Sequence, residues 1–148
     1  MKFTYSIQIK SKPEVVFAWI ANPERAMRWM KSVSKTEMLH ETPEMVGSTF
    51  REIVSEDGQG VEMLGTVTEY ENNKAIGFHL ESKVNVVDVN YLIEPNGSTR
   101  LTQNANIRWK FPVNIISIFA ASKFKQNLLS QAAGEFGALK RLCEREMP

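Results

Sequence analysis

Between residues 34 and 110 six strand-like segments follow one another, at 34–41, 48–56, 60–71, 74–82, 84–94 and 99–110. The separators "EDGQG", "ENNK" and "PNGS" supply the Asn and Gly that tight hairpin turns require, so these segments should pair as antiparallel neighbours. After Pro112 the period changes. Phe124, Leu128, Ala132, Phe136 and Leu139 recur every three or four positions, which is the stripe of one long amphipathic helix. Upstream, residues 2–10 alternate with Phe3, Tyr5, Ile7 and Ile9 on one face, a further strand. Ser11 as N-cap and Pro13 in the first turn then open a short helix, and Asn22 with Pro23 opens a second that ends near Lys31.

The expected architecture is α+β: a seven-stranded curved antiparallel sheet wrapped around one long C-terminal helix, with two short helices after the first strand. Residues 1–148 form a single domain with no linker, repeat or low-complexity tract. One helix must cover the whole dry face of such a sheet, so the sheet curls around it. Where small or polar side chains interrupt that face, the two layers cannot fill the space between them, and a ligand-sized cavity opens.

The segment "RLTQNANIRW" carries such an interruption. Its dry side reads Leu101, Gln103, Ala105, Ile107 and Trp109, with an amide and a methyl where large apolar groups belong. Gln103 is open to three readings: an amide bonded to a buried neighbour, a residue turned outward at a bulge, or a polar handle for a ligand. On the preceding strand Val87, Val89, Tyr91 and Ile93 share the inner face, and Asp88, Asn90 and Glu94 the outer one. Before that, Ile76, Phe78 and Leu80 point inward, with His79 and Glu81 outward. Between 60 and 71 the parity is open, since Met63, Gly65 and Val67 compete with Leu64, Thr66 and Thr68. Ala121, Phe124 and Leu128 face the sheet from the helix, and the small Ala121 argues for room. Tyr91 is expected to be core with its hydroxyl reaching the surface, the alternative being a hydrogen-bond donor inside the cavity.

Composition narrows the function classes. The 18 Lys and Arg against 17 Asp and Glu give a net charge of +1, so no global field recruits nucleic acid, and none is expected as a partner. One cysteine and two histidines at unrelated positions exclude an internal disulfide and give no metal-ligand spacing; no metal and no cofactor are expected. "MKFTYSIQIK" alternates instead of presenting a charged start and an apolar stretch, which reads as a strand and makes a cytoplasmic location the expectation.

Catalytic candidates are few. Glu52 shares the parity of Phe50 and could point inward, but a water-exposed strand position is the expectation. His79 falls on the outer face, His40 has no evident partner, and Cys143, among Arg141, Glu144 and Arg145, has no helix N-terminus or histidine to activate it. No nucleophile elbow, phosphate loop or zinc-protease motif occurs, so the catalytic residues are unknown and the chain is not assigned as an enzyme.

Two surface features bear on partners. Arg25, Arg28, Lys31 and Lys35 form a basic stripe, expected to be a solvated face; the alternative is peripheral contact with anionic lipid headgroups. The run "FPVNIISIFAAS" from Phe111 to Ser122 is too short to span a bilayer, for which about 20 apolar residues are needed. It should begin the long helix and cover something else, with a pocket lid or a homodimer contact favoured over a membrane surface.

The stretches "SKPEVVFAWIANPERAMRWMKSV", "VGSTFRE", "GTVTEYENNKAIGFH", "YLIEPNGSTRLTQ" and "GALKRLCE", taken in order, resemble the START-like superfamily, and within it the polyketide cyclase/dehydrase and lipid transport branch. The resemblance covers nearly the whole chain, departing from the usual hairpin ending "GGTR" with "GSTR" at 97–100. It implies a helix-grip fold that binds an apolar or amphipathic small molecule (lipid, polyketide or similar) between sheet and helix. It also places Trp29 at the rim of the cavity mouth, although packing alone makes Trp29 and Trp109 core anchors. Some members are cyclases or dehydratases, which is the alternative function. A non-catalytic interaction module with a filled core is the third.

Overall fold

The computed structural model describes residues 1–56, 59–111 and 121–145, the side chains of 56, 59 and 121–124 excepted. The chain runs β1 (Lys2–Ile9), α1 (Pro13–Ala21), α2 (Pro23–Ala26), β2 (Val33–His40), β3 (Thr49–Glu56), β4 (Gln59–Glu71), β5 (Ala75–Glu81), β6 (Asn85–Asn96), β7 (Ser98–Trp109) and α3 (Ala121–Arg145). The seven strands form one sheet in the order β1-β7-β6-β5-β4-β3-β2, every pair antiparallel. The hairpin order from β2 to β7 is the one the turn chemistry dictates. β1 closes the far edge by pairing with β7, from Lys2 opposite Asn106 to Ile9 opposite Thr99.

α3 packs across the concave face and against β1. On its apolar stripe Phe136, Leu139 and Cys143 are buried with Ile9, Ile93 and Leu101 of the sheet and Val16, Phe17 and Ile20 of α1, while Ala132 clusters with Phe3, Ala105 and Ile107. This packed core lies toward the C-terminal half of α3. Lys140 fastens that end, donating to the Gln8 carbonyl at 3.0 Å and to Glu144 at 2.7 Å.

The parity left open on β4 is settled by Met63, Gly65 and Val67, which face inward, while Leu64 is half exposed. Gly65 sits directly opposite Phe50, and a Cβ there would run into the Phe50 ring. The missing side chain therefore lets an aromatic ring lie flat over the neighbouring strand.

Two local expectations are corrected. Ser11 does not cap α1: the N-cap is Lys12 with no side-chain bond, and Ser11 is buried, its carbonyl accepting the Thr99 hydroxyl at 2.6 Å. α2 ends at Ala26, one turn past its Asn22 cap, and the chain continues through turns to Lys31 instead of a longer helix. The run from Phe111 to Ser122, expected to act as a lid or a dimer or membrane contact, lies mostly outside the described residues; Phe111 itself is exposed.

Candidate functional site

Away from the packed end of α3, sheet and helix diverge around a cavity of about 330 Å³. The small residues that open it come from both layers: Ala105 on β7 and Ala132 on α3, both buried. Phe50 and Phe78 meet edge to face at 5.6 Å along one wall, with Val67, Val87, Val89 and Ile107 beside them. Met27, Met30, Met38, Met45 and Met63 also line it, and their unbranched, polarizable side chains can adapt to different shapes. A second hollow mixes Lys2, Thr4, Thr68, Glu69, Asp88, Asn90, Asn104 and Asn106 of the outer face with Phe3, Phe78, Val89 and Ala105, and so carries a larger share of polar side chains than the first.

Of the side chains expected to line a cavity, Phe78, Val89, Tyr91, Gln103, Ala105 and Leu128 do so. Ala121 and Phe124 are in α3, but their side chains lie outside the described residues. Trp29 is not at a rim. It is 1% exposed, its indole N–H donates to the Trp19 carbonyl at 2.9 Å, and its ring packs against Tyr91 and Phe136. Trp29 is therefore a core anchor, and it acts on the cavity only by supporting the Tyr91 ring. Trp109 is half-buried beside Phe3 and Ile107.

Tyr91 departs from expectation in the opposite sense. It is 3% exposed and lines the cavity, and its hydroxyl accepts the Gln103 side-chain N–H at 3.4 Å. Its own O–H has no acceptor among the described residues. Burial, and then the nearby charges of Glu135 and Glu52, push the ionisation of the phenol above its usual value, so it stays neutral. Gln103 thus combines two of its readings, an amide bonded to a buried neighbour and one that faces the hollow.

Glu52 overturns the expectation of a water-exposed strand position. It is half-buried, lines the cavity in alternation with Phe50 and Val54, and sits opposite Thr36 on β2 and Met63 on β4. No hydrogen-bond partner for its carboxyl occurs among the described residues. Loss of hydration raises its pKa to about 7. Glu135 is the site residue that the sequence reading misses. It reaches the same cavity from α3 and accepts from the Ser32 N–H at 3.3 Å and the Ser32 hydroxyl at 3.1 Å. Its pKa is raised by desolvation, which outweighs those bonds. The signal for it is its place three residues after Ala132 on the apolar stripe of α3.

The other titratable groups stand apart from this constellation. His79 is on the outer face as expected, with Nδ1 at 2.6 Å from Asp88 and Nε2 at 3.1 Å from Glu81. Hydrogen bonds to Glu81 and then Asp88 raise its pKa, because only the imidazolium can donate to both carboxylates. Arg108 and Lys110 complete that surface network through Asp88 and Glu81. Cys143 is fully buried, and among the described residues no group of three His, Cys, Asp or Glu could hold a metal. Of the basic stripe, Arg25 and Arg28 each rest over the Trp19 ring at 5.1 Å. No described helix is long and apolar enough to cross a membrane.

A family model described as polyketide cyclase/dehydrase and lipid transport matches residues 1–144. The chain belongs to this family. Solved structures place the polyketide cyclase/dehydrase and lipid transport chain in the helix-grip fold at low sequence identity. TTHA0849 from Thermus thermophilus superposes with a TM-score of 0.84 at 14% identity over 100% of both chains. A START superfamily protein from Mycobacterium smegmatis gives 0.78 at 17% identity over 99% of each chain. The di-domain ARO/CYC StfQ of the steffimycin biosynthetic pathway gives 0.80 at 12% identity, with 97% of this chain matching 51% of that one, so the fold corresponds to about half of it. Among curated proteins, none matches the sequence.

Proposed function

We propose that this protein binds an apolar or amphipathic small molecule in the cavity between the sheet and α3. The observation that carries the reading is the cavity itself: about 330 Å³ between sheet and helix, lined mainly by aromatic, aliphatic and methionine side chains, with polar groups that include Tyr91, Gln103, Glu52 and Glu135. Ligand sites of about 300–1,000 Å³ commonly have this composition, with few polar groups fixing orientation. The apolar body would gain about 25 cal/mol for each Å² removed from water, and the Tyr91 O–H offers a hydrogen bond to an oxygen or nitrogen acceptor. The family and the fold of the StfQ and START relatives agree with a container of this kind. They do not choose the occupant.

Catalysis is the second reading, favoured by one observation. Glu52, with a pKa of about 7, can take or give a proton at neutral pH while the neutral Tyr91 hydroxyl lies near it. A cyclisation or dehydration of a polyketide-like chain would need no more than such a group and a shaped wall.

Titration with N-phenyl-1-naphthylamine, an uncharged probe that brightens in apolar surroundings, tests the binding reading. Saturable one-to-one uptake with blue-shifted emission is expected. Emission that stays at its level in water would show that the hollow takes no apolar guest.

A further inference from the structure

The cavity has a one-sided charge inventory. Its described lining includes Glu41, Glu52 and Glu135, yet no Lys, Arg or His. Arg51, next to Glu52 in sequence, points to the other face of β3, where it meets Glu37 and Glu62. Beside Glu52 on the sheet stand Thr36 of β2 and Met63 of β4, and the same hollow is lined by Met38 of β2, Tyr91 of β6, Gln103 of β7, and Gln131 and Glu135 of α3. Glu41, which follows β2, adds another carboxyl at the exposed end. Nothing in that set balances a negative charge.

From this arrangement we infer that the ligand carries a basic nitrogen on its apolar body, and that the protonated nitrogen seats against the Glu52 carboxylate. The inference rests on the cavity being a ligand site and names the class of molecule it takes. Glu135 is already engaged by Ser32, whereas Glu52 has no partner among the described residues, so Glu52 is the group with bonding capacity to spare. Tyr91, only 3% exposed and with an unused O–H beside the same space, adds a donor for an acceptor next to the nitrogen. A carboxylate or phosphate headgroup would instead be brought, dehydrated, to two carboxyls with no cation among the described lining to receive it. A neutral alcohol would lose only the ionic contribution.

The seat also couples binding to protons. In the empty cavity Glu52 is partly protonated near neutrality, because burial disfavours its charge. A bound ammonium favours the carboxylate, so binding expels the proton and tightens as pH rises, while an alkylamine remains charged throughout.

Decylamine, decanol and decanoate, matched in chain and different in headgroup, test this by calorimetry on the full chain. At about pH 7.5 decylamine should bind at least about 30-fold more tightly than decanol, and decanoate more weakly than either. Decylamine affinity should rise from about pH 6 to about pH 8, with proton release seen by comparing buffers of different ionisation enthalpy. In Glu52→Gln the amine-to-alcohol ratio should fall below about 3-fold and the proton release should disappear. Decanol binding as tightly as decylamine would overturn the inference and leave the cavity reading standing. Failure of all three compounds, together with the naphthylamine probe, would overturn both.

Discussion

Ala105→Trp abolishes uptake of the naphthylamine probe, weakening it by at least about 100-fold, while the protein remains folded. Ala105 is buried on β7 between Gln103 and Ile107 and faces the hollow, so an indole there grows into the space the ligand would fill. The stability change is as informative as the affinity. Inserting a large side chain into a filled core costs about 1–3 kcal/mol through forced rotamers and backbone shifts. An indole entering empty space recovers contacts instead, so the midpoint of urea unfolding should move by less than the equivalent of about 1 kcal/mol. Unchanged probe affinity would remove Ala105 from the site. Lost affinity with a stability loss of several kcal/mol would say that the interior was already packed. Ala132→Phe, which approaches the same volume from α3, provides the check should the strand variant fold poorly.

Replacing Glu52 by Gln should make the protein more stable at neutral pH and change little in acid. The folded-state pKa of Glu52 is about 7, above its ordinary 4.5, so between those values the native state holds a proton that the unfolded chain has released. Stability contributed by the neutral carboxyl is therefore complete below about pH 4.5, declines as pH rises through the window, and is flat above about pH 7. Gln cannot ionise and keeps the shape. The difference between variant and parent should grow by up to about 3 kcal/mol across that interval, at about 1.4 kcal/mol per pKa unit. Glu135 is present in both proteins, so its own raised pKa drops out of the comparison. Urea unfolding at several pH values measures this. A difference that does not vary with pH would mean the Glu52 carboxyl is as hydrated in the folded state as in the unfolded one.

Much of the fold is legible in the residue pattern because turns and alternation are local. "ENNK" and "PNGS" fall at the β4–β5 and β6–β7 hairpins, and the parities of β5, β6 and β7 follow from alternation alone. β4 resists that treatment because Gly65 contributes no side chain to its pattern, and what decides its inner face is the Phe50 ring lying over it from the next strand. The site is legible where the sequence places something too small, as at Ala105, and less so where it places something charged. Glu52 alternates with Phe50 and Val54, yet a carboxylate on that face conflicts with the rule that charge stays in water. Only the three-dimensional hollow, with β2 covering one side and α3 lying across, makes the exception visible. Trp29 errs the other way: likeness puts it near a rim, whereas its bond to the Trp19 carbonyl and its packing on Phe136 fix it in the core.

The central claim is that the hollow exists to be occupied. Native mass spectrometry of the protein purified from its own host, followed by denaturing extraction, tests it most directly. The account predicts a mass excess corresponding to one small molecule per chain, released on unfolding, predominantly apolar and carrying a nitrogen base. A chain that emerges at its bare mass, and that also leaves the naphthylamine probe dark when titrated, would contradict it and return the interior to the status of an imperfectly filled core.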